Sequence, residues 1–513
     1  MASFYVQNFG CRATQADGAA IERQFEDCGL ERASAPSDAE IVILNTCTVT
    51  ASADQDARAA IRRVHRENPI ARIVVTGCYA QRAPQELASL PGVSQVIGNS
   101  HKHRLAEIAV AQSPKPAMST ANAAPASGFV PLGHLGRSHP PGSSQRPPTE
   151  GQGPIFVSDI FAHTELVAAP VFDAANERTR PNLKVQDGCD NRCSFCVIPY
   201  VRGQSRSMRL DQILQEVNTL VRSGYRELVI SGINLGRWGR DLEPGIRSQV
   251  PRHDFGIQRP FLANPEPDEE TNHLRLPSLI RAILDSTSLE KLRISSVEPM
   301  DWSDELIALL AESARIAKHA HVPMQSGSDS VLRRMHRKYG PWHYRERIEA
   351  IRTAMATAAI GADVMVGFPG ETDAEFEQTR RMVEDLPFTY LHVFTYSPRP
   401  GTPAAEMPRQ VPVHVARARN RVLRDLAADK KQAFMQSFAG RTVEAITLAC
   451  GTGPAVREPS HHPFTEALTD NYLPLRLLGK HAPNQWLRAR VEALEDGKLV
   501  GMSTTASQPL PKA

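Results

Sequence analysis

Three cysteines are spaced Cys-x-x-x-Cys-x-x-Cys in the run Asp187-Gly188-Cys189-Asp190-Asn191-Arg192-Cys193-Ser194-Phe195-Cys196. Three thiolates on one tight loop suit an iron–sulfur cluster with one iron left open, and an open iron holds a small molecule. Structural zinc asks for four closed ligands. The next histidine after Cys196 is His253, in a polar, aperiodic stretch, so zinc fits poorly. A second set is dispersed: Cys11, Cys47 and Cys78 each follow a short apolar run, at 4–8, 41–45 and 73–76. At the carboxyl ends of parallel strands these thiols converge on one crevice and can hold a second cluster. Three small buried cysteines would account for the same spacing. Cys28 and Cys450 have no partner by spacing and receive no role.

The elements that must position these residues follow from periodicity. Over 1–111, strand and helix patterns alternate, with continuous apolar runs at 41–44 and 73–75. Such runs are buried strands, and the alternation predicts a small parallel sheet with helices on its faces. Residues 112–154 are rich in Pro, Gly, Ser and Ala without apolar periodicity, and 112–176 is read as a linker. From 177 to 434 the alternation repeats about six times. Candidate strands lie at 183–186, 227–231, 291–295, 320–322, 362–366 and 390–395, which predicts an open or barrel-like parallel sheet. The stretch 239–272 is polar and Pro-rich and is read as an insertion after the second of these strands. A basic helical segment follows, carrying Arg417, Arg419, Arg421, Arg424, Lys430 and Lys431. Its bland reading is a solvated face. Five short strand patterns over 437–505 predict a small β-barrel.

Composition sets the outer limits. The chain has 513 residues, 41% hydrophobic and 22% charged, which supports several cores and excludes collagen-like, mucin-like and wholly disordered classes. Eight cysteines in that length do not make a disulfide scaffold, so clustered ones bind metal or do chemistry. No apolar run reaches the ~18 residues of a membrane span, and the N-terminus lacks a signal-peptide layout. The expected location is the cytoplasm. A net charge of +3 permits nucleic-acid binding without demanding it.

The cysteine loop directly after a strand resembles the radical S-adenosylmethionine (SAM) enzymes, whose open iron holds the amino and carboxylate groups of SAM. Six βα units match the partial barrel of that family. The three-cysteine N-terminal region, the C-terminal barrel and three further runs narrow the resemblance to the methylthiotransferases, in which that barrel is called TRAM. The runs are His321-Val322-Pro323-Met324-Gln325-Ser326-Gly327-Ser328, Gly367-Phe368-Pro369-Gly370-Glu371-Thr372 and Phe394-Thr395-Tyr396-Ser397-Pro398-Arg399-Pro400-Gly401-Thr402. The implied fold is α/β: an N-terminal parallel domain, a partial (β/α)6 radical SAM barrel and an OB-like C-terminal barrel. Asn45-Thr46-Cys47-Thr48-Val49-Thr50 and Val185-Gln186-Asp187-Gly188-Cys189-Asp190 look like the branch acting on threonylcarbamoyladenosine in tRNA. The linker and the insertion look longer than the family needs.

The resemblance implies two 4Fe-4S clusters as cofactors, held by Cys11, Cys47 and Cys78 and by Cys189, Cys193 and Cys196, together with SAM. One SAM methylates a sulfur on the N-terminal cluster, and a second yields the radical that removes hydrogen at C2 of the adenine, where the methylthio group is placed. Phe195 would set its backbone against the SAM adenine, or be a packing aromatic. Gly232 would let the SAM amino group approach, or be a turn glycine. Glu298 would reach the ribose, or be a surface ion-pair residue. Gln325 would point to the same site, or cap a turn. The run Arg202-Gly203-Gln204-Ser205-Arg206-Ser207 would position a phosphate, or cover the barrel mouth. The implied partners are the anticodon stem-loop of tRNA and an electron donor such as a flavodoxin or ferredoxin, with neither DNA nor membrane. Tyr472, Lys480, Trp486, Arg488 and Arg490 are available as an RNA grip. Alternatives are methylthiolation of isopentenyladenosine in tRNA, or of a ribosomal-protein aspartate. Outside enzymology, a metal-containing RNA-binding protein remains.

Overall fold

The computed structural model describes residues 2–10, 12–111, 153–162, 179–242, 274–449 and 464–504. Cys11, Cys450, residues 112–152 and residues 243–273 lie outside the described residues. The chain divides into two compact units, one running from the N-terminus to Val167 with Tyr200–Arg202 added, the other holding the remainder.

The first unit is built on a parallel sheet. Its strands are β1 (Ser3–Asn8), β2 (Glu31–Arg32), β3 (Ile41–Thr46), β4 (Arg72–Gly77), β5 (Val93–Gly98) and β6 (Ile155–Phe156), in the order β2-β1-β3-β4-β5-β6. Val42, Leu44, Ile73 and Val75 pack on one face, with Ile61 and Val64 of the helix Ala51–Glu67. Ile41, Ile43 and Val74 pack on the other, with Ile21 and Phe25 of the helix Arg12–Asp27. Both faces are covered, which is why these strands read as unbroken apolar runs. The two-residue strand β6 falls inside the stretch read as linker and pairs in parallel with β5.

The second unit contains an arc of parallel strands. β7 (Asn182–Asp187) takes a short antiparallel neighbour, β8 (Arg206–Ser207), on one side and β9 (Glu227–Gly232) on the other, and β10 (Lys291–Ile294) follows. A parallel bridge from Leu292 to Ile316 leads on to β11 (His319–His321), β12 (Ala359–Val366) and β13 (Tyr390–Thr395). Six parallel strands in sequential order make the expected partial barrel. Each helix lays an apolar stripe on it; the helix Leu210–Arg222, for example, buries Ile213, Val217 and Leu220.

The helix Val413–Gln436 then leads into five strands, β14 (Thr442–Thr447), β15 (Phe464–Thr469), β16 (Pro474–Leu478), β17 (Trp486–Glu495) and β18 (Lys498–Ser503). They close as β14-β15-β16-β18-β17 around Val443, Leu475, Leu477, Val491 and Leu499. No described helix is long and apolar enough to cross a membrane.

Candidate functional site

In the second unit, β7 ends at Asp187 and the chain turns through Gly188 at φ +74° into Cys189. A Cβ at Gly188 would stand 1.9 Å from the Gln204 carbonyl oxygen, so only glycine allows this turn. Cys189 N–H donates to the Gly203 carbonyl (3.1 Å), and Cys196 N–H to that of Cys193 (3.1 Å). All three thiols are half-buried. Burial pushes the Cys189 thiol up to about 11 and that of Cys196 up to about 12. Such thiols give up their protons on binding a metal, not to solvent.

Donors converge on these sulfurs. Asn191 N–H lies 3.4 Å from Cys189 Sγ, Asn234 Nδ2 3.7 Å from the same atom, and Arg337 Nη1 3.2 Å from Cys193 Sγ. Arg337 also donates to Glu298 and stacks over the Tyr339 ring at 5.0 Å. Burial works against its charge, but Tyr339, Glu298 and Cys193 outweigh that and hold the guanidinium protonated. Cys193, Asn191, Arg237, Glu298, Arg337 and Tyr339 line one pocket. At the neighbouring strand ends, Ser231 Oγ, Asn234 Oδ1 and Ser295 Oγ are buried without a hydrogen bond among the described residues. Three thiols, one of them against a guanidinium, with a pocket beside Cys193 and unsatisfied polar atoms at the nearby strand ends, fit a three-thiolate cluster and a small polar ligand on its open iron.

The other expected residues fall as follows. Gly232 ends β9, and a Cβ there would stand 2.8 Å from Gln186 Oε1. Gln186 braces this corner: it accepts from Asn234 N–H (2.7 Å) and donates to the Gly188 carbonyl (2.8 Å). The Phe195 ring packs edge-on against Phe368 at 6.4 Å. Glu298 lines the pocket, half-buried and paired with Arg337. Gln325 has a left-handed backbone, φ +62°, locked to β12 by hydrogen bonds between its N–H and the Asp363 carbonyl (2.8 Å) and between Met365 N–H and its own carbonyl (2.8 Å). Arg202 and Arg206 are buried with carboxylate neighbours, Asp17 at 2.9 Å and Asp187 at 3.8 Å, which takes both away from a phosphate role.

In the first unit, Cys47 and Cys78 directly follow Thr46 and Gly77, which are paired across β3 and β4. Both cysteines are buried. Gly10 at φ +93° comes so close that a Cβ on it would stand 2.4 Å from Cys47 Cβ, so the residues leading to Cys11 pass against Cys47. The Cys47 loop is pinned by Thr48 and Arg82, which donate to Asp54 at 2.6 and 2.8 Å, and by Thr50, which caps the next helix. Asn99 Nδ2 lies 3.6 Å from Cys78 Sγ. Beneath, the buried Lys102 ammonium contacts Asp17 (2.9 Å) and Asn45 (3.3 Å). Buried cysteines beside a buried cation suit thiolates holding a cluster.

Arg337, Asn234, Gln186 and Lys102 were not visible in the sequence as site residues. Gln186 stands inside the quoted run 185–190 without having been given a role there, and Arg337, Asn234 and Lys102 arrive only through the fold. The sequence reading also offered Tyr472 and Trp486 to RNA. In the structure Tyr472 contacts His319 (5.0 Å between rings) and Arg293 (5.2 Å), and Trp486 carries Lys291 over its ring (5.0 Å). Both face the arc. Lys480, Arg488 and Arg490 are exposed.

Residues 3–98 match the uncharacterized protein family UPF0004, and residues 183–383 match the radical SAM superfamily. The chain is 31% identical to the threonylcarbamoyladenosine tRNA methylthiotransferase MtaB of Bacillus subtilis, over 92% of this chain and 90% of that one. It is 30% identical to the tRNA-2-methylthio-N(6)-dimethylallyladenosine synthase of Erythrobacter litoralis, over 88% of each. Among solved structures, the radical S-adenosylmethionine methyltransferase TsrM of Kitasatospora setae superposes with a TM-score of 0.51 at 16% identity, over 79% of this chain and 75% of that one. That likeness concerns the fold.

Proposed function

Because the chain belongs to the radical SAM methylthiotransferase family, we propose that it methylthiolates C2 of N6-threonylcarbamoyladenosine beside the anticodon of tRNA. The observation that carries this is the Cys189/Cys193/Cys196 loop under Arg337, opening on a polar pocket, in a chain that matches a threonylcarbamoyladenosine methylthiotransferase over 90% of its length. Bound SAM and the two 4Fe-4S clusters supply the radical and the methylthio group.

The protein's own residues do the rest. Cys189, Cys193 and Cys196 hold one cluster; Cys11, Cys47 and Cys78 hold the other. Arg337 balances the thiolate charge and fixes Glu298, whose carboxylate receives the hydroxyl or amino donors of SAM. Asn234, Ser231 and Ser295 offer it further polar contacts, and Gly232 leaves room at the strand end. At the second cluster Asn99 donates a hydrogen bond to Cys78, and the Lys102 ammonium beneath balances charge. The barrel at 437–505 grips the RNA through Lys480, Arg488 and Arg490. A flavodoxin or ferredoxin supplies the electron, and the work is done in the cytoplasm.

The test is mass spectrometry of nucleosides from total tRNA, with and without the gene. The expected result is loss of 2-methylthio-N6-threonylcarbamoyladenosine with its precursor accumulating. Loss of the isopentenyl counterpart would move the substrate to the sister branch, which the 30% identity to the dimethylallyladenosine enzyme keeps open. Cys193→Ala should abolish 5′-deoxyadenosine formation. Cys47→Ala and Cys78→Ala should leave SAM cleavage standing and remove the methylthio product.

A further inference from the structure

His321 at the end of β11, Asp363 in β12 and His392 in β13 bring three ligand atoms within 4.8 Å of one another. The parallel register sets Asp363 directly beside His392. None of the three lines the pocket at Cys193. His321 Nε2 lies 3.4 Å from Asp363 Oδ1, and His392 Nδ1 lies 3.2 Å from the same oxygen. The His392 contact has the length of an ordinary hydrogen bond, and the His321 approach is longer than the ~2.7–2.9 Å of a charge-assisted one. Nitrogen and oxygen ligands at ~2.0–2.1 Å from a tetrahedral cation stand ~3.4 Å apart along the edges of the tetrahedron. The two approaches to Asp363, 3.4 and 3.2 Å, match two such edges.

Two further observations point to a ligand. The His321 side chain is 92% buried, and its Nε2 makes no hydrogen bond. Its other ring nitrogen, Nδ1, is held by Ser296 Oγ. In the tautomer that donates Nδ1–H to the Ser296 hydroxyl, the lone pair on Nε2 faces Asp363 and His392, the arrangement an outer hydrogen bond gives a metal-bound histidine. Two imidazoles and one carboxylate select a zinc-class ion over magnesium or calcium, which want oxygen ligands throughout.

We propose that His321 Nε2, Asp363 Oδ1 and His392 Nδ1 form a site for one zinc-class divalent cation, with the fourth position open to an oxygen ligand. His392, 57% exposed, leaves that position accessible. Water or a carboxylate suits it. The nucleoside proposed above carries a carboxylate, but the cation site does not rest on that reading.

The test uses the full chain with its clusters reconstituted, dialysed anaerobically against micromolar zinc sulfate. Metal content is measured by mass spectrometry, and the zinc shell by X-ray absorption. About one zinc per chain is expected, with nitrogen and oxygen at ~2.0–2.1 Å and no sulfur at ~2.3 Å. His392→Ala and Asp363→Asn should bring zinc to background with iron content and melting temperature unchanged. Ser296→Ala should weaken binding about tenfold. His392 is exposed, so its variant tests the site without testing the fold. No zinc above background, a sulfur-containing shell, or full occupancy in both ligand variants would overturn the proposal.

Discussion

Arg337 touches Cys193, the half-buried Glu298 and a tyrosine ring at once. Removing one partner of a fully buried ion pair costs about 3–5 kcal/mol, and with Glu298 25% exposed the cost here is smaller than that. Arg337→Met should therefore lower the denaturant midpoint and also weaken SAM binding, since Glu298 no longer has a fixed orientation. Arg337→Lys keeps the charge but loses the planar fork that reaches Cys193 and Glu298 together. It should recover stability in urea titrations more fully than SAM affinity. Equal recovery of both would separate Glu298 from the ligand. Cys189, Cys193 and Cys196 were legible because their spacing is local. Arg337, 141 positions beyond Cys196, was not, since only the fold joins them. The same holds for His321, Asp363 and His392: strand register, not sequence spacing, brings them together.

At the scale of elements, the helix Asp373–Asp385 is fixed at its start by a reciprocal cap: Thr372 Oγ1 accepts from Glu375 N–H (3.3 Å), and Glu375 Oε2 from Thr372 N–H (2.8 Å). Arg334 also donates to Glu375, at 3.0 Å. Burial pushes the Glu375 carboxyl up, but Arg334, Ser330 and the Thr372 amide bring it down to about 2. A carboxyl depressed on folding stabilises the protein above its unfolded value of ~4.3, and that contribution is lost as pH falls through the folded value. Glu375→Gln should flatten stability against pH between ~4.3 and 2, measured by urea titration at each pH. An unchanged slope would show that the cap carries no titrating charge. Buried strands such as β3 and β4 were readable from unbroken apolar runs. The edge strands β2 and β6, two residues each, are too short to carry a pattern. The helix Pro341–Ala354 starts on a proline, whose missing N–H costs nothing in a first turn.

At the scale of the whole molecule, the barrel presents Arg488 and Arg490 on one strand with their side chains exposed, while its Tyr472 and Trp486 are spent on the arc. Binding to RNA through such cations releases counterions in proportion to the phosphates neutralised. Arg488→Gln with Arg490→Gln should lower the slope of log affinity against log salt by ~1–2 for tRNA, read by filter binding. Their removal should leave 5′-deoxyadenosine formation intact. An unchanged slope would move the RNA grip elsewhere. The helix Val413–Gln436 ties this barrel to the arc. Near its start Arg419 donates to Glu371 (2.6 Å) and Asn420 to the Val393 carbonyl (3.0 Å); near its end Met435 lies in the barrel core. A rigid rod fastened at both ends transmits angle as well as distance. Each residue added to an α-helix advances it by about 100°. The barrel's heading is thus set by a residue count together with the seating of Tyr472 and Trp486 on the arc: one codon inserted between Asn420 and Met435 would press its exposed arginines through more than a quarter turn and tear those two rings from their seats.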